Sequence, residues 1–143
     1  TENRMTVKVL DVAGNTVDLM EMLRRGRPVL RDNDVPIEIE RGAQVDAVND
    51  RGGTALMYAA SGPFAPTVQL LITRGADPNI RDADEGFTAL MFAAAEGQVE
   101  VIKALLSHGA DVTIKDNDGD RALDFAVKNG HQVAAGLLRK ETE

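Results

Sequence analysis

Cysteine and tryptophan are absent from the sequence, and its aromatic residues are one tyrosine and four phenylalanines, 3% of the chain. Without thiols there are no disulfides, no thiol catalysis and no cysteine-based zinc site, and either redox compartment is tolerated. So few aromatics leave little for a base-stacking surface. No apolar run reaches the roughly 18 residues of a membrane span. Basic charge is short as well: 16 Lys and Arg against 23 Asp and Glu give a net charge of −7 and a pI near 4.8. That sign opposes phosphate backbones and anionic lipid, so neither a nucleic-acid nor a membrane partner is expected. With no apolar leader in sight, the cytoplasm is the expected compartment, a removed signal peptide being the alternative. What is present, 143 residues with 43% hydrophobic and 27% charged composition, fits a single globular domain.

The chain repeats itself. Gly42 opens GAQVDAVNDRGGTALMYAA, Gly75 opens GADPNIRDADEGFTALMFAA, and Gly109 opens GADVTIKDNDGDRALDFAV, with the glycines 33 and 34 residues apart. Each stretch runs into a turn and a second apolar segment: VQLLI at 68–72, VIKALL at 101–106 and VAAGLL at 133–138. A period near 33 with two short helical stretches per unit is the pattern of stacked helix pairs joined by hairpins. Runs rich in Asp and Asn that end in glycine, 49–53, 82–86 and 116–119, predict tight hairpin turns. Thr54 and Thr88 suit helix starts, where a hydroxyl satisfies a free amide. Gly75 and Gly109 suit helix stops. Ala59-Ala60, Ala93-Ala94 and Ala126 are small enough for neighbouring helices to approach closely. Tyr58, Phe92 and Phe125 recur at the repeat spacing and are expected to stack as one aromatic row in the core.

These segments resemble ankyrin repeats, whose signature is a Thr-Pro-Leu-His-x-Ala helix start in a 33-residue unit. The matching stretches are Thr54-Ala55-Leu56-Met57-Tyr58-Ala59, Thr88-Ala89-Leu90-Met91-Phe92-Ala93 and Arg121-Ala122-Leu123-Asp124-Phe125-Ala126. Proline has become alanine throughout, and histidine has become Met, Met and Asp, which removes the usual Thr–His side-chain bond. The resemblance implies an all-α solenoid of stacked helix pairs with projecting β-hairpin loops. Its repeats span 42–74, 75–108 and 109–139 of one domain, 1–143. Residues 5–26 read as a divergent N-terminal helix pair, with Val17, Met20 and Leu23 at helical spacing and a turn at Gly14-Asn15. A segment over 27–41, with Pro28 and Pro36, is inserted between the first and second pairs, either helical from Pro36 or extended. Gly136 weakens the last helix, so fraying is expected beyond Leu138.

Catalytic chemistry finds little to work with. His108 and His131 sit at helix boundaries, where the bland reading is structural, and no phosphate loop, His-Glu-x-x-His or nucleophile elbow appears. The acidic runs from Asp82 and Asp116 imitate calcium loops, but Arg121 stands at the sixth position from Asp116 and Val127 at the twelfth, where such a loop has Gly and Glu. Both runs fall on the repeat's hairpin turn, which explains them without a metal. Arg24, Arg25, Arg27 and Arg31 form a basic island that reads as cations at a helix end. No enzyme activity, cofactor or metal is expected.

The resemblance implies a non-catalytic protein–protein interaction module, monomeric alone, that binds on its concave face and hairpin tips. A regulatory or inhibitory segment of a larger protein, which can itself be an enzyme, is the alternative. Carried over by position, the partner-binding candidates at the tips are Asp50, Arg51, Arg81, Asp84, Glu85, Lys115, Asn117 and Asp118. Those just before the first helices are Gly53, Phe87 and Asp120, and Ser61, Glu96 and Lys128 lie just after their alanine pairs. The excess of acid points to a partner with a basic, partly apolar surface.

Overall fold

The computed structural model describes residues 8–10, 16–18, 45, 46, 48 and 51–142. Among the described residues six helices fall in pairs: α1 (Ala55–Ser61) with α2 (Ala65–Thr73), α3 (Ala89–Glu96) with α4 (Val99–Ser107), and α5 (Ala122–Lys128) with α6 (Gln132–Thr142). The first helices pack in one row, α1 on α3 on α5, and the second helices in another, α2 on α4 on α6. Both rows follow from the repeat period.

Helices α1 and α3 start on reciprocal caps, and α5 keeps one half of the arrangement. The Thr54 hydroxyl accepts from the Met57 amide at 3.3 Å while the Thr54 amide donates to Met57 Sδ at 3.4 Å. Thr88 and Met91 repeat the arrangement at the same distances. At the third start the Arg121 amide donates to Asp124 Oδ2 at 2.8 Å. The residues standing in place of histidine therefore still reach back to the capping residue, through a thioether or a carboxylate. Helices α2 and α4 stop as the sequence predicts. Gly75 and Gly109 adopt φ +99 and +90, and the amides of Ala76 and Ala110 each close on the carbonyl five residues back at 3.0 Å.

The core lies between the two rows of helices. Leu56, Val68, Leu71, Leu90, Val101, Ile102, Leu105 and Leu138 are its largest fully buried side chains. Ala59, Ala60, Ala93, Ala94 and Ala126 show no exposed surface, so the first helices meet nearly backbone to backbone. Neighbouring repeats are also tied by side chains reaching a helix-end carbonyl. Gln98 Nε2 donates to the Ser61 oxygen at 3.3 Å, and Asn129 Nδ2 and His131 Nε2 meet the Ala95 oxygen at 2.8 and 3.0 Å. The His131 ring lies against Gly97, where a Cβ would come within 2.5 Å of Nδ1.

Three expectations need correction. Tyr58, Phe92 and Phe125 are not fully buried core residues but half-buried ones packed against the core. The apolar interior is already filled by the residues flanking them. Lys8–Leu10 and Thr16–Asp18 are strands, β1 and β2, paired antiparallel with Val9 opposite Val17, where a helix pair was expected over 5–26. Val9, Thr16 and Val17 are β-branched and lose side-chain freedom in a helix, whereas a pleated strand accommodates them. Helix α6 runs on to Thr142, past Leu138, with Gly136 on its exposed side and Arg139 and Lys140 complementing its C-terminal dipole. The fingers close on tight turns as expected, with Gly52, Gly86 and Gly119 at positive φ. The inserted segment 27–41 lies outside the described residues, as does most of 5–26.

A side-chain relay also joins the repeat openings. Asp46 accepts the Asp77 amide at 3.1 and 3.2 Å, and one repeat on Asn79 Oδ1 accepts the Asp111 amide at 2.8 Å. Asn79 adds a donor bond to the Gly109 carbonyl at 3.1 Å. Burial raises the Asp46 carboxyl above the usual value, against the lowering effect of the Asp77 amide and with reinforcement from the Asp77 charge. The fold therefore disfavours the ionised form. The stability this group contributes is complete below the ordinary carboxylate value and is lost as pH rises through the raised one.

Two outcomes follow from this packing. Leu105→Ala, at a fully buried site in the central pair, should cost about 2–5 kcal/mol in denaturant unfolding. Asp46→Asn, which copies Asn79, should raise Tm slightly at pH 7, and the gain should shrink as pH falls into the carboxylate range.

Candidate partner-binding groove

The acidic fingers are organised by their own carboxylates. Asp82 Oδ1 accepts the amides of Glu85, Gly86 and Phe87 at 3.0, 2.8 and 3.0 Å, and the Asp82 amide donates to the Phe87 carbonyl at 2.9 Å. Asp116, only 7% exposed, accepts the amides of Asp118 and Asp120 at 2.9 and 2.8 Å. Short side-chain acceptors close these turns, which is why aspartate recurs there.

Adjacent fingers are stitched together. The Ala83 amide donates to the Arg51 carbonyl at 3.0 Å, and the Asn117 amide to the Glu85 carbonyl at 2.9 Å. Asn117 Nδ2 reaches the Asp84 carbonyl at 3.2 Å, while its Oδ1 accepts from Arg81 Nη2 at 3.0 Å. Arg81 Nε also meets the Gly86 carbonyl at 3.3 Å. Arg81 and Asn117 are thus spent on holding finger to finger.

Between the first two fingers and the helices α1 and α3 lies a groove of about 320 Å³. Tyr58, Phe87 and Phe92 give it aromatic walls, Met57 and Ser61 lie beside them, and Asp82, Asp84, Glu85 and Arg51 line it with charge. Phe87 is wedged edge-on between Phe92 and Phe125, with ring centroids 5.5 and 5.4 Å apart and interplanar angles of 89° and 84°. Arg51 Nε stands 3.8 Å from Asp84 Oδ2, with both side chains largely exposed. One repeat further on, Lys128 Nζ lies 2.6 Å from Asp120 Oδ2 and 5.9 Å from the Phe125 ring centroid. The hydrogen bond to Asp120 raises this ammonium above the usual lysine value, and the charges of Asp120, Asp124 and Asp116 add to it.

Of the candidate residues, Arg51, Gly53, Ser61, Asp84, Glu85 and Phe87 come together in the groove. Lys115, Asn117 and Asp118 are exposed on the third finger, Asp120 is held by Lys128, and Glu96 is exposed at the end of α3. None of these five lines the groove. Asp50 lies outside the described residues. Sequence reasoning placed Tyr58 and Phe92 in the core and missed them as groove walls. In α1 every residue from Ala55 to Ala60 is buried apart from Tyr58, and no polar position in that run marks in the sequence which direction is open.

A model of the family "Ankyrin repeats (3 copies)" matches residues 19–116 and 56–143. The chain belongs to the ankyrin-repeat family. Ankyrin repeats are generally protein–protein interaction modules, and their domains are typically non-catalytic. None of the curated proteins matches the chain significantly. No helix among the described residues is long and apolar enough to cross a membrane.

Because Asp82 and Asp116 spend carboxylate oxygen on backbone amides, millimolar calcium should leave the thermal midpoint unchanged. Native-state binding at 100 times Kd adds about 2.7 kcal/mol. A calcium-specific rise of several degrees over a magnesium control is the contrary result.

Proposed function

We propose that the chain is a non-catalytic capture module, monomeric alone, whose concave groove holds a protein partner with a basic, partly apolar surface. The single observation that carries this reading is the groove at α1, α3 and the first two fingers, with aromatic walls and a carboxylate rim. Aromatic side chains supply contact area at little entropic cost, and the carboxylates select for positive charge and speed encounter. Glu96, Lys115 and Asp118 then belong to the solvated surface around the interface, and Arg81, Asn117 and Asp120 act by holding its shape.

Phe87 is packed between two other rings, so truncating it would disturb the fold as well as the surface. Charge reversal at the exposed rim is the cleaner test. Asp84→Lys combined with Glu85→Lys should leave the circular dichroism spectrum unchanged while abolishing retention of the proteins that the immobilised parent captures. Lys103→Glu, on the exposed face of α4, should retain them, and raised salt should slow their association with the parent. Undiminished retention by the charge-reversed protein means that the interface lies elsewhere.

A further inference from the structure

The two junctions between repeats end on equivalent carbonyls but differ in chemistry. At the first, Gln98 Nε2 donates to the Ser61 carbonyl at 3.3 Å; at the second, Asn129 Nδ2 and His131 Nε2 meet the Ala95 carbonyl at 2.8 and 3.0 Å. Gln98 is followed by valine, whereas Asn129 is the chain's only asparagine followed by glycine. In such a pair the glycine nitrogen, with no side chain beside it, closes a five-membered ring on the asparagine amide carbon, one reason asparagine is thermolabile. A glutamine must close a six-membered ring, which is slower. Asn129 and Gly130 are both exposed, so burial does not keep water from them. Geometry keeps the ring from closing instead. Asn129 has φ −95 and ψ 5 at the end of α5. With ψ near zero the Gly130 nitrogen eclipses the Asn129 amide nitrogen, roughly a third of a turn from the Cβ it must eclipse in the ring, and the ψ that ring needs lies outside the ordinary regions of a non-glycine residue. The Gly130 amide is also held by the Val127 carbonyl at 3.1 Å, and the side-chain amide by Ala95.

We infer that Asn129 is a deamidation site that reacts only when the third repeat lifts from the second, and that its product keeps that repeat loosened. In the lifted state the Gly130 nitrogen bonds to Asn129 Cγ and the Cγ–Nδ2 bond breaks. Nδ2 leaves as ammonia, carrying the proton of the Gly130 amide. Water then opens the ring at one of its two carbonyl carbons, giving aspartate by cleavage at Cγ or isoaspartate by cleavage at the main-chain carbon. One water is consumed and one ammonia released, with no change of oxidation state. Either product carries a carboxylate and has no side-chain amide hydrogen to give. With aspartate in place, an acceptor faces the Ala95 carbonyl across the former 2.8 Å bond, and the tie becomes a repulsion. Isoaspartate also lengthens the main chain by one carbon in the turn between α5 and α6. Opening permits the reaction, and the reaction favours opening. The junction built on Gln98 has no comparable route.

The test incubates the whole chain in mildly alkaline buffer at body temperature, with samples digested by trypsin over several weeks. The peptide Asn129–Arg139 is read by mass spectrometry for the mass gain of deamidation and for isoaspartate. Asp118–Gly119, which forms the same ring, falls in a separate peptide and gains no mass. Deamidation in the folded chain should run about tenfold or more slowly than in a synthetic peptide of residues 125–134. Urea below the unfolding midpoint should speed it while amide exchange in α1 stays slow. Leu138→Ala, which empties a fully buried site in α6, should speed it without denaturant. Asn129→Asp, the product written into the sequence, should raise amide exchange in α5 and α6 and leave α1 slow. If Leu138→Ala does not fold, the urea series on the parent decides. Deamidation as fast in the folded chain as in the peptide overturns the inference, as does a rate that rises only when α1 also unfolds. Unchanged exchange in Asn129→Asp overturns its second half, since the product would then leave the junction intact.

Discussion

Contact between alanine faces governs this architecture. Ala59, Ala60, Ala93, Ala94 and Ala126 are fully buried, and they let α1, α3 and α5 approach until little but backbone separates them. No single pair of helices of seven to eleven residues can bury its own apolar face. The close approach makes burial a property of neighbours, and the finger positions follow from it. Once the first helices are in register, successive fingers lie near enough for the Ala83 and Asn117 amides to find carbonyls on the preceding one. The groove is a consequence of that spacing, since its walls come from two repeats and neither repeat contains it alone.

Charge is distributed along the stack in a similar shared manner. Aspartates that look like a cation site in the sequence are consumed in shaping turns, so Asp82 and Asp116 are architectural while Asp84 and Glu85, two and three residues past Asp82, face the groove. Acidity of composition therefore says little about where negative charge is offered. The turn geometry decides which carboxylates are occupied and which are left to meet a partner.

The sequence carried the helix pairs, the caps and the stops because each depends on local residue types at a repeated spacing. Thr54, Thr88, Gly75 and Gly109 act through their own backbone neighbourhood and need no tertiary information. The aromatic row is different. Recurrence establishes that Tyr58, Phe92 and Phe125 share an environment, but not whether that environment is the core or its half-buried edge. A helix reading Ala-Leu-Met-Tyr-Ala-Ala has no polar face to orient it, so the exposed direction is set by the neighbouring finger. The N-terminal region misled for another reason. Three-residue stretches such as Thr16–Asp18 are too short to separate a period of two from one of 3.6, and β-branched content was the better guide there. Of the groove, Phe87 and the rim acids were legible by position, whereas the walls required the packing.

The exchange of histidine for methionine at two helix starts has a consequence for the conditions the stack withstands. An imidazole gains and loses a proton near neutrality, and a cap built on one is tied to acidity. A thioether binds no proton in that range. Met57 and Met91, 3% and 2% exposed, hold Thr54 and Thr88 through sulfur contacts that acidification from neutral to mildly acid leaves untouched. These two caps answer instead to oxidants. A sulfoxide would put a polar oxygen where a buried sulfur now sits, and repair would require a reductase acting on an opened helix start. The first two repeats have thereby traded sensitivity to protons for sensitivity to peroxide.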